Sequence, residues 1–103
     1  MSDQQSKSPN PLTELTGFQR DLLVATARVG PCKGLDIKEM VNQSGYDDVT
    51  HGRLYPNLDA LSAKGLLEKS WREPDKRSNT YELTAEGTDA LESYIQWTEA
   101  NNE

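Results

Sequence analysis

A chain of 103 residues is long enough for one compact domain with one core and too short for two. One cysteine, Cys32, and one histidine, His51, exclude an intramolecular disulfide and a zinc-binding set, and no run approaches the roughly 18 apolar residues of a membrane span. The net charge of -6 speaks against a uniformly basic surface, but the charge is segregated. Between His51 and Tyr81 the cations Arg53, Lys64, Lys69, Arg72, Lys76 and Arg77 outnumber Asp59, Glu68, Glu73 and Asp75. The acidic excess therefore lies elsewhere and leaves one face open to a polyanion.

Residues 1–12 are polar, carry two prolines and show no periodicity, which predicts a disordered arm without the basic and apolar regions of a signal peptide; a cytoplasmic protein is expected. Residues 13–84 are expected to form the folded core, and 85–103 a terminal helix and tail. Thr16 and Gln19 have capping-box spacing and start a first helix, in which Phe18, Leu22, Ala25 and Val29 make an inward stripe before Gly30 and Pro31 end it. Leu23, Val24 and Ala27 lie on its other side and imply a second partner for this helix.

Gly34 to Gln43 reads as a short second helix turning Leu35, Ile37, Met40 and Val41 inward. Thr50 is the expected N-cap of a third, with Leu54, Leu58 and Leu61 on its stripe and Lys64-Gly65 at its end. Pro56 is anomalous inside it, although Gly52 at the crowded carbonyl softens the clash. Leu66 to Arg72 and Thr80 to Leu83 alternate and flank a charged tip, predicting a two-stranded hairpin. Thr84 caps a last helix whose Ala90, Leu91, Tyr94, Ile95, Trp97 and Thr98 cover nearly half its circumference, enough for its own core and for a second copy. Three helices, a hairpin and a helix give a mainly α winged helix-turn-helix (α-α-α-β-β-α).

In such a domain the N-terminal side chains of the third helix meet base edges in the major groove of double-stranded DNA. Thr50, His51, Gly52, Arg53, Tyr55 and Asn57 hold that place. The fork of arginine matches guanine O6 and N7, an asparagine amide matches adenine, and glycine keeps the helix start slim. Lys76, Arg77 and Asn79 at the hairpin tip are the candidate wing, suited to phosphate or a narrow minor groove. Leu23, Val24, Ala27, Leu91, Tyr94, Ile95 and Trp97 are the candidate dimerisation residues. His51 has neither a nucleophile nor an orienting carboxylate at a recognisable spacing, so no enzyme, cofactor or metal is expected. Cys32 near Lys33 and Arg28 admits a redox-sensing reading through a lowered thiol pKa.

The run Gly52-Arg53-Leu54-Tyr55-Pro56-Asn57-Leu58-Asp59-Ala60-Leu61, followed by Lys64-Gly65-Leu66, resembles the third-helix signature of PadR-type transcription regulators. Gly30-Pro31 before Gly34-Leu35-Asp36-Ile37, the stretch Lys76 to Tyr81 and the closing Leu83-Thr84-Ala85-Glu86-Gly87 fall where that family has them, from about Thr16 to Leu91. The resemblance implies a winged helix that dimerises through its terminal helices and places the third helix and wing on a pseudo-palindromic operator. The acidic composition is similar to members from extremely halophilic archaea. Leu35 stands where many members have an aromatic, and a single C-terminal helix lacks the longer bundle some use for an effector, so no small-molecule effector is assigned. The competing expectation is an acidic adaptor whose apolar faces bind a protein instead of DNA.

Overall fold

The computed structural model describes residues 10–70 and 79–100. Helix α1 spans Gly17–Val29, α2 Gly34–Gln43, α3 His51–Ala63 and α4 Ala85–Ala100. Strands β1 (Cys32–Lys33), β2 (Leu67–Ser70) and β3 (Thr80–Leu83) form one antiparallel sheet in the order β1-β3-β2. Cys32 pairs with Tyr81 across β1 and β3, and Leu67 with Leu83 across β2 and β3. A mainly helical chain with a small sheet against its third helix is the winged-helix arrangement.

Local chemistry accounts for the boundaries. The Thr16 hydroxyl accepts from the Gln19 amide at 3.1 Å while the Gln19 carboxamide accepts from the Thr16 amide at 3.1 Å, a reciprocal cap on α1. The Thr50 hydroxyl accepts from the Arg53 amide at 3.2 Å and opens α3. Gly65, at φ +80°, turns the chain from α3 into β2 in a conformation that a side chain disfavours. Thr84 caps α4 by accepting from the Gly87 amide at 2.9 Å. Leu12, Leu22, Leu23, Ile37, Leu54, Leu58, Leu61 and Leu66 are fully buried and form the middle of one core.

Several expectations need correction. Asn10 to Leu12, inside the arm assigned to residues 1–12, belong to the fold. Pro11–Glu14 is a 3-10 turn whose Leu12 is fully buried, and the Asn10 carboxamide donates to the Ala90 carbonyl at 3.0 Å. Arg20 donates to the carbonyls of Leu12 and Leu15 at 3.2 and 3.0 Å and so fastens the turn to α1. Leu23 is fully buried and does not belong to an outer face, whereas Val24 on the same side is half-buried and Ala27 exposed. Of the side chains attributed to a second copy, Leu23 and Leu91 are thus used within the chain's own core.

The stripe on α1 ends before Val29, which is 37 % exposed at the last turn, and Leu35 is 54 % exposed because, two residues before the buried Ile37, it lies on the opposite side of α2. The expected two-stranded hairpin gains β1 as a third strand. Trp71, Arg72 and the tip residues Lys76 and Arg77 lie outside the described residues.

Cys32 also departs from expectation. It is buried on β1 opposite Tyr81, and burial, with the Asp36 carboxylate adding to it, pushes the thiol up to about 11 instead of down. A thiol in that setting is an inert core residue. In the native protein at pH 8, Cys32 should react with iodoacetamide at least tenfold more slowly than in the urea-unfolded chain, as read by mass spectrometry. Equal rates would restore the redox-sensing reading.

Candidate nucleic-acid interface

Helix α3 buries Leu54, Leu58 and Leu61 and turns Thr50, His51, Gly52, Arg53 and Pro56 to solvent. Because an α-helix leaves its first amides without internal acceptors, the His51 and Gly52 N–H groups lie open at the positive end of the helix dipole. The first turn thus combines open backbone donors, a cation and an imidazole. Gly52 is the slim point of the surface, since a Cβ built there would meet nothing closer than the Thr50 hydroxyl at 4.0 Å. Among the described residues, no contact requires a glycine at this place.

The residues singled out in the sequence divide three ways. Thr50, His51, Gly52 and Arg53 come together on the exposed first turn. Tyr55 is half-buried: its ring packs edge-on to His51 at 5.6 Å and lies so close to Gly34 that a Cβ there would overlap it. This ring joins α3 to the start of α2 and serves as packing. Asn57 is committed as well, accepting from the Gln19 carboxamide at 3.0 Å and donating to the Arg53 carbonyl at 2.7 Å. Each end of the Asn57 amide thus holds one hydrogen bond within the protein, and a bidentate adenine contact would have to use the second N–H and the second lone pair.

Asn79 is half-buried at the start of β3, beside a groove of about 570 Å³ lined by Lys33, Leu35, His51, Tyr55, Lys69 and Tyr81. Its side-chain oxygen is buried without a hydrogen-bond partner among the described residues. Lys69, on β2, is turned to Asp59 of α3 at 3.3 Å, a surface pair that partly neutralises it and adds little to stability. Tyr81 forms the groove's inner wall, and burial, followed by the charge of Asp59, pushes its phenol up to about 12, so it stays neutral. Among the described residues no cluster of His, Cys, Asp and Glu is arranged to hold a metal ion, and no helix is long and apolar enough to cross a membrane.

On the terminal helix, α4, Ile95 and Trp97 are 43 % and 61 % exposed, with Tyr94 half-buried and Leu91 buried in the core. Arg20 lies over the Tyr94 ring at 5.7 Å, and Tyr94 and Trp97 are tilted neighbours at 6.1 Å. Ala27 is exposed and Val24 half-buried on α1. Of the seven dimerisation candidates, Leu23 and Leu91 are therefore core residues, while Ala27, Ile95 and Trp97 reach the surface. A groove between α1 and α4 holds Ala27, Leu83, Leu91 and Ile95 along its walls.

Residues 22–93 match the model of the transcriptional regulator PadR-like family. Among solved structures, RosR of H. salinarum is 45 % identical over 85 % of this chain and 77 % of RosR, with a TM-score of 0.78. A structure described as a RosR complex is likewise 45 % identical, over 86 % of this chain and 77 % of that one, at a TM-score of 0.79. A cysteine-to-serine mutant of MarR from E. coli, solved in complex with operator DNA, is 26 % identical over 84 % of this chain and 58 % of MarR, with a TM-score of 0.67. Comparison with curated proteins gives no match.

Proposed function

The chain belongs to the PadR-like family of transcriptional regulators, and from that premise we propose that it acts as a homodimer reading a pseudo-palindromic duplex. It is a DNA-binding regulator and not an enzyme. In the proposed complex the first turn of α3 enters the major groove, with Thr50, His51 and Arg53 toward the DNA and Gly52 allowing close approach. Lys76, Arg77 and Asn79, in the segment leading into β3, take flanking phosphate or minor groove.

The observation that carries this reading is the exposed, capped first turn of α3, where the Arg53 guanidinium makes no hydrogen bond among the described residues and Gly52 has no internal reason to be glycine. The complex of MarR with operator DNA supports the partner. The acidic excess outside the His51–Tyr81 segment, with the likeness to RosR of H. salinarum, supports work in concentrated salt. At 1 M ionic strength the Debye length is about 3 Å, so contact geometry counts for more than long-range attraction.

Gly52→Ala tests the groove assignment through opposite signs. Alanine is the better helix former, so the fold should gain about 0.5 kcal/mol in denaturant unfolding. Binding to a specific duplex should weaken about tenfold, the equivalent of 1.4 kcal/mol, because the added methyl stands between helix and bases. A variant that gains stability and binds as before would remove this turn from the interface.

The homodimer is supported by Ile95, exposed on the terminal helix in the groove that holds Ala27, and by Trp97, a large exposed apolar side chain elsewhere on the same helix. Sedimentation at micromolar concentration in molar KCl should show a dimer, and Ile95→Asp should shift it to monomer and abolish binding to a duplex with two half-sites. A wild-type monomer under those conditions would contradict the assignment.

A further inference from the structure

Arg53 has a defined seat against two aromatic rings. Its guanidinium carbon lies 4.0 Å from the centroid of the Phe18 ring and 5.5 Å from that of Tyr46. The two rings meet edge to face at 5.2 Å, so they form a corner instead of two independent contacts. Phe18 is buried on the first turn of α1, and Tyr46, half-buried in the turn before α3, packs against the core. Tyr46 is itself held, its hydroxyl donating to Asp21 Oδ2 at 2.6 Å. That hydrogen bond is also the main reason its phenol is shifted upward and remains a neutral donor.

The backbone of Arg53 is fastened from the same helix. Gln19, next to Phe18, donates to Asn57, and Asn57 donates to the Arg53 carbonyl. Arg53 is therefore held by its side chain, through Phe18 of α1 and Tyr46 of the turn before α3, and by its backbone, through the amides of Gln19 and Asn57.

We propose that Phe18 and Tyr46, with Asp21 fixing Tyr46, are positioning residues that hold the Arg53 guanidinium ready for a base edge and set the specificity of that contact without touching DNA. The inference rests on the reading of Arg53 as the base-contacting residue. Stacking occupies the flat face of a guanidinium, whereas its N–H donors radiate in the plane. Among the described residues those donors have no hydrogen-bond partner, and Arg53 is exposed although the Phe18 ring beneath it is buried. The Phe18 ring, at 4.0 Å, is the face on which the guanidinium rests, and Tyr46, standing at 68° to that ring and 5.5 Å from the guanidinium, bounds it from the side, so the pair restricts the side chain without taking a hydrogen bond from it. An arginine already restricted in the free protein loses less side-chain freedom on binding than one that moves freely in solvent.

A double-mutant cycle tests this, with affinity measured for a specific and a random duplex and folding checked by circular dichroism. Phe18→Leu and Tyr46→Leu should each lower the ratio of specific to random affinity by roughly two- to fivefold and leave random affinity unchanged. Tyr46→Phe, which keeps the ring, should lose less. In an Arg53→Ala background the ring substitutions should have no further effect on the ratio. Ring variants that fold and retain full specificity while Arg53→Ala loses it would overturn the positioning role alone, as would ring effects that persist undiminished without Arg53. An Arg53→Ala protein with unchanged specificity would overturn the base-reading role, and the positioning role with it.

Discussion

Arg53→Ala is expected to weaken binding to a specific duplex by about 1 to 3 kcal/mol and to relax discrimination at the base pair it meets. The size follows from what arginine offers a guanine: two parallel donors in a rigid plane, in a groove where few other groups can replace them. Affinity for random duplex should change far less, since the phosphate contacts that supply non-specific binding remain. Stability should move by no more than about 1 kcal/mol, because an exposed guanidinium loses only its stacking on Phe18 and Tyr46. Lys76→Ala and Arg77→Ala should behave differently, weakening specific and random binding alike and flattening the salt dependence by roughly one unit for each lost phosphate contact. Fluorescence anisotropy at several KCl concentrations separates the two patterns. If Arg53→Ala changed both duplexes equally, Arg53 would be a phosphate ligand, and another residue of the first turn would have to read the bases.

Gly87→Ala is expected to destabilise the fold by about 3 kcal/mol, with a fall in Tm on the order of 15 °C. Gly87 is buried in the first turn of α4, and a Cβ built on it would lie on the backbone carbonyl of Leu66. That carbonyl accepts from the Thr84 amide at 3.1 Å, and the Thr84 hydroxyl donates to the Gly65 carbonyl at 2.6 Å. A methyl at position 87 would therefore pry apart the clamp joining α4 to the link between α3 and β2. The obstruction is backbone, which cannot swing aside as a flexible side chain does. The contrast with Gly52→Ala is informative, because the same exchange in a helix's first turn is destabilising where backbone approaches and stabilising where the site is open. Thermal melts of the two variants side by side check the pair, and a Gly87→Ala melt within about 2 °C of wild type would mean that α4 can shift away from Leu66 freely.

The helices are legible in the sequence because their ends are written locally. Thr16 with Gln19, Thr50 before His51, Lys64-Gly65 and Thr84 are each short-range hydrogen-bonding or backbone devices that need no knowledge of the rest of the chain. Features that depend on tertiary contact are not legible. β1 is two residues long and has no alternation to detect; it exists because Cys32 and Lys33 meet Tyr81 and Thr80. Leu12 reads as part of a polar arm, with prolines around it, and is core only because Asn10 and Arg20 fasten its turn. Periodicity places Leu23 on the second face of α1 without revealing that this one residue of the face is buried in the chain's own core.

The site divides in the same way. Its location on the first turn of α3 follows from the order of elements, and the suitability of Arg53 follows from its chemistry. The engagement of Asn57 by Gln19, 38 positions earlier in the chain, leaves no mark in spacing or composition. The same is true of the ring corner beneath Arg53, built from Phe18 and Tyr46 on two different segments.

Methylation interference tests the central claim, that α3 reads double-stranded DNA from the major groove, most directly. A duplex selected by the protein from genomic fragments would be methylated at guanine N7, a major-groove atom, and bound and free fractions compared at each position. Two clusters of interfering guanines about 10 base pairs apart are predicted, one for the α3 of each protomer, and Arg53→Ala should erase the strongest position in each cluster. Specific binding with no interference at any guanine N7 and no change with Arg53→Ala would contradict the account.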